Sequence, residues 1–294
     1  MDGFLNLNKP ANFTSHDCVA KLRKILNTRK IGHGGTLDPC ATGVLPIAVG
    51  KATRLLQFLP TKKAYIATIR LGLVTTTDDL EGEVIKNAAT VHVTLEEIQS
   101  CLRDFIGVIR QKPPVFSAIK KGGEKLYNLA RKGIEVEAPV REVFIESIEI
   151  LGWRQEEAEL DLNIVCDSGT YIRSIARDLG EKLGCGGTLA GLKRTLSCGM
   201  IIENSLTLEE ITEQKKQGIL KLIEIDKPLD NLPAIYLKKQ EGERWLKGQK
   251  LEMEIETEKS GKIFRTYNHQ RQFIGISEMV KENPPVIKPK VVIG

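Results

Sequence analysis

The chain has 294 residues, enough for one large domain or two unequal ones, and its 41% hydrophobic and 28% charged residues predict a buried core and a soluble surface. A net charge of +5 does not by itself identify a nucleic-acid binder, and no apolar run approaches the ~20 residues of a membrane span. Six cysteines (Cys18, Cys40, Cys101, Cys166, Cys185 and Cys198) form no C-x-x-C pair, which argues against a zinc or dithiol site. The opening MDGFLNLNKP lacks the apolar stretch of a secretory signal, so a cytoplasmic protein with reduced thiols is expected.

The first predicted element is a helix over 14–26, capped by Thr14 or Ser15, with Val19, Leu22, Ile25 and Leu26 as its apolar stripe. VLPIAVG (44–50) reads as a short buried strand, with Pro46 arguing for an edge or irregular position. KATRLLQFL follows as a helical piece. KAYIATIRLGL (63–73) alternates as a strand: Tyr65, Ala67, Ile69 and Leu71 share one face. TTTDDLEGE (75–83) reads as a polar turn. Thr94 and Glu97 form a capping box that opens a helix over 94–107.

Residues 111–133 form an unusual insertion, with a double proline, a Gly-Gly turn and a short helix stopped by Gly133. REVFIESIEILGW and AELDLNIVC predict two strands. TYIRSIARDLGEKLG (170–184) predicts a helix with Ile172, Ile175, Leu179 and Leu183 inward, and TLEEITEQKKQG (207–218) repeats the capping-box grammar. PLDNLPAIY (228–236) reads as a linker, followed by short β-like pieces. Strands and helices in irregular alternation, then a small all-β module, indicate α+β.

Two blocks are basic. Residues 1–60 hold eight lysines or arginines against three aspartates, and residues 110–145 hold eight against four glutamates. These are either two solvated surfaces or one basic face. The stretch GHGGTLDPCATGVLP (32–46) surrounds a single carboxylate, Asp38, with glycines and prolines that restrict or free the backbone. Composition alone allows an ordinary turn there.

Together LNLNKPANFTSHDCV, KIGHGGTLDPCATGVLPIAVGKATRLLQFL, KAYIATIRLG, PPVFSAIKKGGEKLYNLARKG and DSGTYIRSIARDLGEKLG resemble the bacterial TruB-type tRNA pseudouridine synthases, in that family's order and through residues 3 to 200. Residues 231–294 resemble its PUA-like RNA-binding module. The resemblance implies a pseudouridine-synthase fold: a central mixed, mostly antiparallel sheet flanked by helices, with a catalytic domain over 1–230, an RNA-gripping insertion over about 111–140 and a β-rich module over 231–294.

It also implies isomerisation of uridine to pseudouridine at position 55 in the tRNA T-loop, with no cofactor, no metal and no obligate protein partner. A monomer acting on the tRNA T-arm is expected, away from membranes. Asp38, Tyr65 and Arg173 match the family's catalytic positions, Arg173 as partner of Asp38. His33 matches its T-loop-recognising histidine. Tyr171 and Lys9 match positions near the site, and Lys120, Lys121, Lys125, Arg131 and Lys132 match the basic insertion that grips RNA.

Without the resemblance, Tyr65 reads as a core tyrosine, Arg173 as a surface arginine and Asp78–Asp79 as hydrophilic turn residues rather than a magnesium site. Two rivals stand beside the isomerase. One is a catalytically silent RNA-binding or tRNA-chaperone protein, against which Asp38, Tyr65 and Arg173 count together. The other is a glycoside hydrolase, disfavoured because such enzymes use two carboxylates and the motif holds one.

Overall fold

The structure is a computed structural model that describes residues 1–88, 92–117, 119–131, 136–254 and 262–294. The chain runs β1 (Gly3–Lys9), α1 (Ser15–Ile25), β2 (Ile31–His33), β3 (Thr42–Val49), a 3₁₀ stretch Gly50–Phe58, β4 (Lys63–Leu71), β5 (Leu73–Thr75) and β6 (Val84–Asn87). It continues with α2 (Leu95–Leu102), β7 (Gly107–Gln111), β8 (Lys120–Lys121), β9 (Glu124–Lys125), α3 (Leu126–Arg131), β10 (Arg141–Arg154), β11 (Glu159–Cys166) and α4 (Ile172–Lys182). Then come β12 (Gly187–Ser197), β13 (Met200–Ile201) and α5 (Leu208–Lys216). The last part holds β14 (Ala234–Tyr236), α6 (Lys239–Leu246), β15 (Leu251–Glu252), β16 (Ile263–Tyr267), β17 (Phe273–Glu282) and β18 (Pro285–Val292).

A central sheet has the order β1-β3-β12-β4-β11-β10-β7, with β2 beside β3 and β13 beside β12. Its pairs are antiparallel except β12 on β3, so the sheet is mixed and mostly antiparallel. On one face, Tyr65, Ala67, Ile69 and Leu71 of β4 meet Leu160, Leu162 and Ile164 of β11 and the buried Ile172, Ile175 and Leu179 of α4. Each such aliphatic side chain withdrawn from water contributes roughly 1.5–3 kcal/mol. A second core joins β1 and β3 to α1 and α5. Helix α1 starts where expected: Thr14 accepts from the Asp17 amide and the Asp17 carboxylate accepts from Thr14 N–H.

Several elements depart from the sequence reading. β1, β7, β12 and α6 were not anticipated, and β12 is central. Its pairing with β4 is broken by bulges between Leu189 and Gly191 and between Arg194 and Leu196, so no clean alternation marks it. β3 is flanked on both sides, yet Pro46 is tolerated. On one edge β12 pairs only at Thr42 and Gly43 and β2 only at Ile47–Val49, so Pro46 falls in the gap between them. The stop at Gly133 lies outside the described residues.

The segment read as a linker is fastened. Leu229 is fully buried, Tyr267 donates to Asp226, and Arg265 pairs with Asp230. The second sheet, β14-β16-β17-β18-β15, shares a core with the first part of the chain. Ile276, Val291 and Ile293 pack with Phe4, Val44, Ala48 and Leu55. Lys51 and Arg54 donate to the Ile293 and Val292 carbonyls at 2.7 and 2.6 Å.

Candidate active site

Asp38 sits in the loop between β2 and β3, and the loop's carbonyls are held one by one. Arg194 donates to Gly35 O at 3.1 Å, Thr36 O at 3.2 Å and Val44 O at 2.7 Å. The Ser15 hydroxyl accepts from Leu37 N–H at 2.9 Å and donates to Leu37 O at 3.3 Å. Asp38 O accepts from Ala41 N–H, and Pro39 O accepts from Asn12 N–H and from Lys9 Nζ. Buried carbonyls are costly when unpaired, so these donors hold the loop in one shape. Gly43 lets the structure close: with φ +100, a Cβ there would stand 2.2 Å from Arg194 O, where β3 meets β12.

The Asp38 side chain is 35% exposed and its Oδ2 lies 3.0 Å from Arg173 Nε. Arg173, in the first turn of α4, is 6% exposed. Its Nη1 faces Asp79 at 3.5 Å, and it donates to Thr77 O and Phe116 O, both at 3.2 Å. A buried guanidinium at a helix N-terminus is unfavourable alone; two carboxylates and two carbonyls compensate it. The expected Asp38–Arg173 pair is therefore present.

Asp79 was not expected to join it. The aspartates of the TTTDD run are not solvated: Asp79 is buried, accepting from Thr77 and from Glu81 N–H, and Asp78 pairs with Arg177 at 2.9 Å. Burial raises the Asp78 pKa against the pull of Arg177 and Arg173. Cys40 Sγ, Asp79 and Glu81 bring ligand atoms within 4.8 Å of one another. Asp79 is already engaged there, and burial with the Glu81, Asp79 and Asp38 carboxylates pushes the Cys40 thiol up to about 11.

Tyr65 is buried on β4, in register with Arg194 of β12. Burial pushes its phenol up to about 12, Arg194 pulls the other way, and Cys166 and Asp38 add to the rise. Tyr171 caps α4 and exchanges two hydrogen bonds with the buried Gln111 side chain, at 2.8 and 3.1 Å. His33 ends β2 and meets His16 edge to face, ring centroids 5.4 Å apart. Burial lowers its pKa, with His16 and Arg194 adding to the effect.

Lys9 has no exposed surface. Its ammonium donates to Pro10, Phe13 and Pro39 carbonyls at 2.8, 2.6 and 3.0 Å, so it holds the loop from beneath rather than facing outward. Lys120, Lys121, Lys125 and Arg131 have backbone in β8, β9 and α3, away from the Asp38 loop in sequence, and Lys132 lies outside the described residues. Sequence reasoning missed Arg194, Gln111 and Asp79. Gln111 carried no signal. For Arg194 the signal was a charged residue in a stretch with no assigned element, and for Asp79 it was adjacency to a run of threonines able to donate to it.

The arrangement can hold one carboxylate still. Asp38 Oδ2 is tied to Arg173, and Oδ1 has no partner among the described residues. A carboxylate so placed can attack an electron-poor carbon or accept a proton.

Comparison with known proteins agrees along the whole chain. The family described as TruB family pseudouridylate synthase (N terminal domain) matches residues 23–172. The tRNA pseudouridylate synthase B C-terminal domain matches 173–232, and the domain described as Pseudouridine synthase II TruB, C-terminal, matches 233–293. A tRNA pseudouridine synthase B of Gloeothece citriformis is 53% identical over 100% of this chain and 98% of its own. One of Trichormus variabilis is 50% identical over 95% of each. Among solved structures, a Cbf5-Nop10-Gar1 complex contains a chain similar at TM-score 0.72 and 28% identity, covering 94% of this chain and 78% of that one. Matched along its length and about half identical to such enzymes, the chain belongs to the TruB family of pseudouridine synthases and is an isomerase that converts uridine to pseudouridine.

Proposed function

We propose that the enzyme acts on tRNA and isomerises the uridine at position 55 of the T-loop, with Asp38 as the catalytic carboxylate. The observation that carries this is the Asp38–Arg173 pair at 3.0 Å on a loop whose carbonyls are individually held. The relatives named tRNA pseudouridine synthase B supply the substrate class.

In this reading the target uridine leaves its stack and lies over Tyr65, the cost of unstacking being offset by contacts in the pocket. The C1′–N1 bond breaks, the uracil turns, and C1′ bonds to C5. The C5 proton is lost and N1 is protonated, so substrate and product are isomers and no electron acceptor is needed. Asp38 attacks or takes a proton during this sequence. Arg173 holds Asp38 in place, and Tyr65 supports the base and serves proton transfer. His33, Tyr171 and the basic insertion engage the T-arm.

Residues 1–230 carry the chemistry and 231–294 add RNA contacts. The enzyme works as a monomer in the cytoplasm; no described helix is long and apolar enough to cross a membrane.

The test is incubation with an unmodified tRNA transcript, followed by mapping of pseudouridine. Wild type is expected to modify position 55 alone. Asp38→Asn, which keeps size and loses charge, is expected to bind the transcript with similar affinity and form no product. Modification at another position would refute the substrate reading, and normal turnover by the variant would remove Asp38 from the mechanism.

A further inference from the structure

Lys63 opens β4 on the same face as Tyr65, two residues before it. The strand is interior there, with Cys166 of β11 and Ser197 of β12 opposite Lys63. Its Nζ lies 3.5 Å from the point a Cβ on Gly35 would occupy, and Arg194 Nη1 lies 3.7 Å from that point. Two cations therefore converge beneath the loop that carries Asp38.

Their circumstances differ. Arg194 donates to three carbonyls, one from each of its nitrogens. Lys63 Nζ has no hydrogen-bond acceptor and no carboxylate among the described residues. The ionisable groups facing it are Arg194 and Cys198, from β12 and the residue after it, and Cys166 from β11. Its neighbour Lys62 pairs instead with Glu146. An ammonium drawn out of water beside a guanidinium, with no anion to compensate it, is unfavourable. Burial and Arg194 accordingly lower the Lys63 pKa.

We propose that Lys63 anchors an RNA phosphate, one of the two that flank the uridine seated over Tyr65. The inference rests on the substrate reading above. Alternate residues of a strand stand about 7 Å apart along it, so the ammonium is set one step along β4 from the aromatic ring, within reach of a phosphate next to a nucleotide seated there. Gly35 keeps the approach open, because a side chain there would stand against the ammonium. The phosphate supplies the missing counter-charge and favours the protonated amine. RNA affinity contributed by Lys63 is then full below the lowered pKa of the free enzyme and lost as pH rises through it.

The experiment uses the full chain carrying Asp38→Asn, so that RNA binds without being converted. Binding of a T-arm hairpin RNA is measured across a salt series, with Lys63 intact, Lys63→Met and Lys63→Arg. Lys63→Met is expected to weaken binding about tenfold at low salt and to reduce the slope of log Kd against log salt by about 0.7, the value of one phosphate contact on a single strand. Lys63→Arg restores most of the loss. Hairpins with a single neutral methylphosphonate at either flanking phosphate give the cross-check. At one of the two positions the substitution weakens the Lys63 protein and leaves Lys63→Met unaffected.

Because Lys63 has no hydrogen-bond or ion-pair partner among the described residues to lose, Lys63→Met should melt no lower than its parent, unlike a residue that supports the fold. A parent that binds no T-arm RNA overturns the substrate reading and the anchor with it. A parent that binds, with an unchanged salt slope in Lys63→Met or with additive methylphosphonate penalties, overturns the anchor alone.

Discussion

Arg194→Met tests whether the Asp38 loop is held from below. Arg194 is 0% exposed, has no acidic partner among the described residues, and gives its donors to Gly35, Thr36 and Val44 carbonyls. Methionine fills similar space and donates nothing. Hydrogen bonds from a charged group contribute about 1.5–3 kcal/mol each, so three amount to roughly 5–9 kcal/mol gross. Removing the buried guanidinium also removes a desolvation cost of several kcal/mol. The expected net loss is about 2–4 kcal/mol, a fall in Tm on the order of 10 °C.

The larger effect is on rate. With two of its carbonyls released, the loop shifts, and misplacement of a reacting group by about 1 Å costs on the order of a hundredfold, or about 2.7 kcal/mol in the barrier. The assay is single-turnover release of tritium from tRNA labelled at uridine C5, beside a binding measurement on the same protein. The rate is expected to fall about a hundredfold while Kd changes little, with Arg194→Lys between the two. An Arg194→Met enzyme that is folded and reacts at the wild-type rate would refute the claim that these hydrogen bonds position Asp38.

Burial lowers the His33 pKa from 6.5 in the folded state, so the unfolded chain binds more protons across the window between the two values. The resulting penalty is full below the folded pKa and fades as pH rises to 6.5. In a Tm series from pH 5 to 8, wild type should gain on His33→Gln up to about pH 6.5 and run parallel above it; a constant difference would contradict the buried setting of His33. Truncation after residue 230 uncovers the Phe4, Val44, Ala48 and Leu55 surface that Ile276, Val291 and Ile293 cover. The shortened chain should melt lower and self-associate in sedimentation, and one that stayed monomeric with wild-type Tm would show that the shared core contributes little.

What the sequence settled by itself was local or periodic. Thr14 and Asp17 lie three residues apart, so their capping box is written in adjacent letters. The alternation of Tyr65, Ala67, Ile69 and Leu71 specifies a strand with one buried face, because strand side chains repeat every two residues. The GHGGTLDPCATGVLP block marked Asp38 and its family before any fold was known.

What tertiary structure decided was which polar groups are inside, since burial of a charge depends on partners far along the chain. Arg194 lies 158 residues from Thr36, and Arg173 lies 96 from Thr77. In sequence Asp79 looks like a turn residue made for water; it is buried because Arg173 waits opposite. Strand β12 escaped notice because its bulges break the period and its arginine faces inward. Residues 228–236 read as a linker from their prolines, yet Leu229 is fully buried, since a proline-rich segment is ordered when a neighbouring apolar surface needs covering.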